Sequence, residues 1–234
     1  MTSVLLTRPE HLAQTSITKL EKLGYKALNC PLVEIVPVRI KAPISAQNII
    51  VTSQNGVDHG LIHIKNYELP IFAVGEKTAE RAKELGFKNI FTGKGNGEDL
   101  ANQIIEVTKK SSRPGSFVHL CGSEIAFDIS QALNQAKLEA SIVNVYKTIA
   151  HSNFPSAIEN ALKNNEIETV LFYSVQTATI FEKIINGLGY KKLLEKMTAI
   201  SLSTRINSYL EGAWHTRKIA ATPKESSLFE MLKR

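Results

Sequence analysis

The sequence predicts an α/β protein made of two similar doubly wound parallel-sheet domains with a cleft between them. Three observations carry that expectation. First, the chain repeats itself: residues 4–35 align without a gap on 118–149, so that Val4 meets Val118 and Ile35 meets Ile149, a constant offset of 114. A second pair follows, with Val51-Thr52-Ser53-Gln54 on Phe172-Tyr173-Ser174-Val175, residues 73–78 on 199–204, Gly86 on Gly212 and Glu98-Asp99-Leu100 on Ser226-Ser227-Leu228. The order is A-B-A-B with a period of about 120, too long for a solenoid repeat and right for a small domain. Second, short β-rich runs alternate with helical patterns, which implies parallel strands joined by right-handed crossovers. Third, the ten predicted strands suit two five-stranded sheets better than one sheet. A cleft between domains is where ligands bind.

The elements follow in order. Residues 4–6 read as a strand. Residues 10–23 carry apolar positions at Leu12, Ile17, Leu20 and Leu23, one helical face closed by Gly24. The next strands are read at 27–30, 48–52, 71–74, 90–92, 117–120 and 142–145, with helices near 55–63, 77–85, 98–107 and 125–136. Further strands fall at 170–173, 198–202 and 218–221, with helices near 155–163, 176–186, 204–211 and 225–232.

Two partitions fit the repeat. The plain one cuts at the turn cluster Ser111-Ser112-Arg113-Pro114-Gly115. The crossed one makes 36–148 an inserted domain and joins 1–35 to 149–234. The chain would then cross twice, near 31–38 and 145–151. Both segments are extended and β-branched rather than Gly/Ser-rich, so they suit a stiff two-stranded linker better than a flexible tether.

Composition narrows the setting. Hydrophobic residues make up 43%, enough for real cores. No apolar run reaches the ~18 residues of a membrane helix, and Met1-Thr2-Ser3-Val4 does not open a signal peptide. Cys30 and Cys121 form no metal-spaced or disulfide pattern and read as reduced core residues of a cytoplasmic protein. The net charge of +6 is scattered: Lys77, Arg81 and Lys83 alternate with Glu76, Glu80 and Glu84, and the densest pairs are Lys109-Lys110 and Lys191-Lys192. No basic stripe with interleaved aromatics appears, which argues against nucleic acid, whereas a mild positive balance suits a small polyanion.

Open α/β sheets bind ligands beyond the C-terminal ends of their strands. Here those turns are rich in hydroxyls: Thr7-Arg8-Pro9, Thr52-Ser53-Gln54-Asn55-Gly56, Gly75-Glu76-Lys77-Thr78, Cys121-Gly122-Ser123, Tyr173-Ser174-Val175-Gln176 and Ser201-Leu202-Ser203-Thr204. Each alone is an ordinary N-cap. Together, free N–H groups and hydroxyls facing one cleft would form a multi-point anion receptor. Nucleotide motifs fail. Gly93-x-Gly95-x-Gly97 puts Glu98 and Asp99 where a pyrophosphate would lie, and Gly75-Glu76-Lys77-Thr78 lacks the upstream glycine. His59 and His63 lie at i, i+4 without a third ligand, and Trp214 reads as a packing lid rather than a stacking platform. No nucleophile–base pair is evident, so any chemistry must run on positioning and electrostatics.

The ordered set Val4-Leu5-Leu6-Thr7-Arg8-Pro9, Ile50-Val51-Thr52-Ser53-Gln54-Asn55-Gly56-Val57, Phe72-Ala73-Val74-Gly75-Glu76-Lys77-Thr78-Ala79, Leu120-Cys121-Gly122, Val145-Tyr146-Lys147-Thr148, Leu171-Phe172-Tyr173-Ser174 and Ala199-Ile200-Ser201 resembles the uroporphyrinogen-III synthase family over nearly the whole length. The resemblance implies the crossed partition with a two-stranded linker. It implies a hydro-lyase of haem biosynthesis that closes hydroxymethylbilane, a linear tetrapyrrole with eight carboxylates, with loss of water and inversion of the last ring. It also implies no cofactor and no metal. Tyr146 matches the family's tyrosine beside the linker and would protonate or orient the departing hydroxyl. Thr78, with Thr204 as its counterpart in the second copy, matches a cleft threonine. Ser53 and Ser174 match paired serines at helix starts, with Ser203 as a helper. Lys77 and Arg8 are further candidate anion contacts. Where the family often has glycine, this chain has Ser201, which weakens the case for close backbone approach there. A cleft within one chain needs no partner, so a monomer is expected. The competing reading is a two-lobed anion-binding or sensor protein without catalysis.

Overall fold

The computed structural model describes residues 3–109 and 114–233. Met1, Thr2, Lys110, Arg234 and the Ser111-Ser112-Arg113 part of the plain cut lie outside the described residues. The chain divides into two compact units, Met1–Glu34 with Ile149–Arg234, and Ile35–Thr148. Helices and strands are numbered here in chain order.

The chain begins in the first unit with β1 (Ser3–Leu6), α1 (Glu10–Lys22) and β2 (Lys26–Asn29). It continues through β3 (Val33–Pro37), β4 (Asn48–Val51), α2 (Gln54–Gly60), β5 (Ile71–Ala73), α3 (Glu76–Glu84), β6 (Ile90–Thr92), α4 (Gly97–Thr108), β7 (Phe117–Gly122), α5 (Ile129–Gln135) and β8 (Ala140–Ala150). It returns to the first unit for α6 (Ser156–Lys163), β9 (Thr169–Phe172), α7 (Val175–Gly187), β10 (Thr198–Ser201), α8 (Thr204–Asn207), β11 (Thr216–Ile219) and α9 (Glu225–Glu230).

In the first unit the sheet order is β11-β10-β9-β1-β2 and every pairing is parallel. All four residues of β1 and of β9 are buried. Leu5 packs with Val170, Phe172 and Phe181 on one face, while Val4, Leu6 and Leu171 pack with Leu20, Leu228 and Phe229 on the other. A parallel sheet covered by helices on both faces needs such continuous apolar runs. Each fully buried Leu, Val or Phe contributes about 1.5–3 kcal/mol. Glu182 on α7 is a buried acid in this layer. It accepts from Glu211 N at 2.9 Å, Gly212 N at 3.0 Å and Trp214 Nε1 at 2.7 Å, and so fixes the loop before β11. Trp214 meets Phe172 edge-on at 5.7 Å, the packing role expected of it.

The second unit has the order β3-β8-β7-β4-β5-β6. The ladders β4·β5, β4·β7, β5·β6 and β7·β8 are parallel. Ile49 and Val51 pack with Val57 and Leu120 on one face, and Ile50 with Leu100, Ile104 and Phe117 on the other. Matching β7 to β1, β8 to β2 and β4–β6 to β9–β11 superposes the two orders strand for strand. The exception is β3, which falls in the 31–38 segment expected as one half of the two-stranded linker and outside the ten sheet strands. It neighbours β8, which runs on to Ala150 rather than stopping at 145. Val38 N donates to Val145 O at 3.0 Å just past β3.

Several expectations shift. The buried face of α1 is Ala13, Ser16 and Leu20, while Leu12 and Leu23 are 39% and 43% exposed. Small side chains set the approach of this helix, and Gly24 at φ +86° ends it. α5 starts at Ile129 rather than 125, because Asp128 accepts from Gln131 N and caps it there. α8 is one turn, ending at Asn207 instead of 211.

The internal alignment is also displaced by two residues at β10: Ala73 lies beside Val51 as Ser201 lies beside Phe172, whereas the sequence alignment put Ala73 on Ala199. Gly75 caps α3 and Ser203 caps α8, which pairs 75 with 203 rather than with 201. Thr78 therefore corresponds to buried Ile206, not to Thr204. Cys30 and Cys121 are free and buried; burial pushes their thiols up to about 12 and about 11, so both stay protonated at neutral pH.

Candidate functional site

Parallel strands end together, so the turns after β4, β5, β7 and the last part of β8 converge on one edge of the second unit. A cavity of about 320 Å3 opens there, lined by Thr52, Ser53, Val74, Gly97, Cys121, Gly122, Glu124 and Tyr146 among others. Two of the expected residues meet in it. Ser53 Oγ lies 3.1 Å from Tyr146 Oη and also accepts from Gly56 N at 3.0 Å, capping α2. One hydroxyl thus ties the helix start to the phenol.

Tyr146 is placed by backbone as well. A register shift between Cys121 and Gly122 brings Gly122 opposite Tyr146, and Ser123 N donates to Tyr146 O at 3.1 Å. A β-carbon on Gly122 would sit 2.8 Å from ring atoms Cε2 and Cζ. Only glycine leaves room for the ring where it is. The His59 ring lies 6.1 Å from that of Tyr146. Behind the cavity, His119 on β7 is 1% exposed, with Nε2 3.0 Å from Thr52 Oγ1 and Nδ1 without a partner. Burial pushes its imidazole down to about 4, against a smaller upward pull from Asp128, so it is neutral at physiological pH. In the sequence Gly122 stood out only as part of the Cys121-Gly122-Ser123 turn and of the resembling Leu120-Cys121-Gly122 segment, and His119 did not stand out, since one owes its meaning to a ring opposite it and the other to a hydroxyl 67 residues away.

Thr78 and Lys77 lie on the first turn of α3, after β5, and neither lines this cavity. Thr78 is 6% exposed, and Lys77 is exposed. The start of α4 is already occupied by its own side chains. Asn96 Oδ1 accepts from Glu98 N and Asp99 N, and Asp99 accepts from Asn96 N, a capping box that fills the terminus a pyrophosphate would need.

The first unit presents a matching set. Ser174 caps α7, accepting from Thr177 N at 3.1 Å, and Ser203 caps α8, accepting from Ile206 N at 3.4 Å; Thr204 beside it is exposed. Ser53, Ser174 and Ser203 share one extended conformation, φ −155°, −148° and −157°. The duplication is thus visible at the level of single caps. Arg8 is drawn into a local network. Its guanidinium lies 4.5 Å over the ring of Tyr173 and donates to Ser16 at 3.0 Å and to Glu225 at 2.5 Å. Glu225 is also held by Ser16 and by Lys19. Burial works to raise the Glu225 carboxyl, but the Ser16 and Lys19 bonds and the Arg8 charge outweigh it and leave it below the usual carboxylate range. Among the described residues no group of three or more His, Cys, Asp or Glu could hold a metal ion, and no helix is long and apolar enough to cross a membrane.

Comparison with known proteins identifies the family of the chain. The chain is 25% identical over 222 residues to the porphyrin biosynthesis protein HemD of Ruminiclostridium josui, a match covering 87% of this chain and 42% of that protein. It therefore spans less than half the length of that relative. It is 23% identical over 224 residues to the uroporphyrinogen-III synthase of Chlorobaculum parvum, covering 90% and 89%. Among solved structures, uroporphyrinogen-III synthetase from Helicobacter pylori 26695 aligns with a TM-score of 0.68 at 21% identity, covering 100% of this chain and 99% of that one. A mutant uroporphyrinogen III synthase from the extremely thermophilic bacterium Thermus thermophilus aligns at 0.62 and 17%, covering 100% and 98%. These structural likenesses bear on the fold: two-domain α/β proteins with parallel sheets. The sequence model of uroporphyrinogen-III synthase HemD matches residues 14–230, and on that match the chain belongs to the uroporphyrinogen-III synthase family.

Proposed function

We propose that this protein closes hydroxymethylbilane into uroporphyrinogen III, with loss of water and inversion of the terminal ring. It would act as a cytoplasmic monomer without cofactor, on a small-molecule substrate and not on nucleic acid or membrane. The observation that carries the reading is the Ser53–Tyr146 pair at the mouth of a cavity beyond the strand ends, in a chain of this family.

Tyr146 supplies the one acidic O–H in that pair, and Ser53 holds its orientation. Protonation of the departing hydroxyl breaks the C–O bond and releases water, leaving a cation delocalised over the pyrrole. Such a cation needs no nucleophilic side chain. The substituted carbon of the terminal ring then bonds to that cationic carbon. Its bond to its own methylene bridge breaks, leaving a second delocalised cation on the neighbouring ring. The free α-carbon of the terminal ring bonds to that bridge and loses its proton, which completes the inversion. The protein must only hold the chain ends so that the substituted carbon arrives first. Orientation of this kind is worth up to ~7–11 kcal/mol in well-placed intramolecular reactions. The eight carboxylates need donors. We assign that part to Thr78, Ser174, Ser203 and Thr204, with Lys77 and Arg8 as cationic contacts. Helix starts and hydroxyls suit carboxylates, and charge-assisted bonds are the stronger kind.

The test is turnover of freshly made hydroxymethylbilane by the purified protein and by Tyr146→Phe. The proposal expects rapid consumption by the former and a loss of up to ~10²-fold in the latter, the range of one general acid. Retention of the tetrapyrrole without conversion would instead identify a binding protein.

A further inference from the structure

We infer that Thr52 is a substrate-carboxylate donor in the cavity and that His119 is the positioning residue that aims it: His119 donates from Nε2–H to Thr52 Oγ1, which leaves the Thr52 hydroxyl proton free to point at the ligand. The inference rests on the reading of this cavity as the tetrapyrrole site.

The argument begins with a buried group that the proposed chemistry does not use. His119 sits in the middle of β7, in register with Ile50 and Ile142, and its surroundings are a hydrophobic layer. A histidine there must justify its desolvation through its bonds. It makes one bond, to Thr52, and its other nitrogen is orphaned. Two tautomers are available to the neutral ring. With the proton on Nδ1, an N–H donor is left buried without an acceptor, the rarer and costlier kind of orphan. With the proton on Nε2, the donor is satisfied and only a lone pair is left over. Asp128 does not rescue the first tautomer: its charge acts on the ring from a distance, but Nδ1 has no hydrogen-bond partner. The second tautomer has a consequence. Thr52 Oγ1 becomes the acceptor towards His119, so its own proton must go elsewhere. Thr52 is half-buried and lines the cavity beside Ser53 and Tyr146. The proton therefore faces the ligand space, as a carboxylate requires. If His119 were instead the acceptor, Thr52 would turn its proton inwards and offer only lone pairs to an anion.

Two measurements decide this. Nitrogen-15 NMR of the imidazole in the wild-type protein reads the tautomer without any substrate. A proton on Nε2 is expected, and a proton on Nδ1 overturns the inference. Kinetics with hydroxymethylbilane then compare Thr52→Val, His119→Phe, the double variant and His119→Gln, whose amide N–H replaces the Nε2 donor. A hydrogen bond to a charged group predicts a KM about tenfold higher or more for Thr52→Val, with kcat little changed. His119→Phe should raise KM similarly, the double variant should lose no more than either single change, and His119→Gln should restore most of the affinity. An unchanged KM in Thr52→Val, or additive losses in the double variant, refutes the inference. A wild-type protein that does not consume hydroxymethylbilane refutes the proposed function instead, and the NMR result still judges the tautomer.

Discussion

Gly122→Ala adds a single methyl group at the point where the backbone comes nearest the Tyr146 ring. The new carbon would lie 2.8 Å from Cε2 and Cζ and 3.1 Å from the phenol oxygen. Carbon atoms rest at about 3.5–4.0 Å, so the ring must retreat by roughly 0.7–1.2 Å or the sheet must give. Ser53 Oγ is 3.1 Å from the phenol, close to the limit of a hydrogen bond, and a displacement of that size breaks the pair. Overpacking of this kind costs about 1–3 kcal/mol, read as a midpoint shift in denaturant or a fall of a few degrees in Tm. The functional effect should be larger than the structural one. Turnover of hydroxymethylbilane should fall towards that of Tyr146→Phe, because the acid is present but misplaced. A Gly122→Ala protein that folds and turns over at the wild-type rate would show that the phenol need not sit where this geometry puts it.

Other outcomes follow from the same structure. Glu182→Ala removes the buried acceptor of three part-buried donors, Glu211 N, Gly212 N and Trp214 Nε1, and should destabilise the first unit by about 1–3 kcal/mol in urea unfolding, with the Trp214 fluorescence red-shifted. His119 titrates near 6.5 when unfolded and near 4 when folded, so the unfolded chain binds the extra proton. Its contribution is fully kept above pH 6.5 and is lost as pH falls towards 4, by about 3 kcal/mol in all, and His119→Gln should remove that slope from the stability profile. Glu225 has its carboxyl held below the usual range, so its share of stability is present at neutral pH and lost as the medium falls below the ordinary carboxylate pKa; Glu225→Gln should flatten that acid limb.

What the sequence made visible was set by local periodicity. Strands such as Val4-Leu5-Leu6 and Ile49-Ile50-Val51 are continuous apolar runs between turn signals, and each expected helical segment holds a helix, although α5 and α8 are shorter than the spacing suggested. The segment of β3 was read as one extended half of a two-stranded linker near 31–38 and not as a sheet strand, because Val33-Glu34-Ile35-Val36 joins the ladder only through β8, more than a hundred residues on. The face of α1 was misjudged since size, not hydrophobicity, decides which side fits the sheet: Ala13 and Ser16 go in and Leu12 stays partly out. The pairing of Thr78 with Thr204 failed because hydroxyl identity is a weaker guide than cap position, and Gly75 and Ser203 are the equivalent caps. In the candidate site, Ser53 was readable as a strand-to-helix cap and Tyr146 through family resemblance. Thr52 appeared only as part of a turn. Glu182 and His119 carry no local signature at all, since each is defined by donors or acceptors brought to it by tertiary folding.

The central claim is that this protein steers ring closure, and the isomer composition of the macrocycle tests it most directly. Purified protein is given fresh hydroxymethylbilane, and the oxidised products are separated by chromatography beside a protein-free control. The account predicts the ring-inverted isomer in large excess with protein, against the uninverted isomer in the control. Equal isomer composition in the two samples would contradict it.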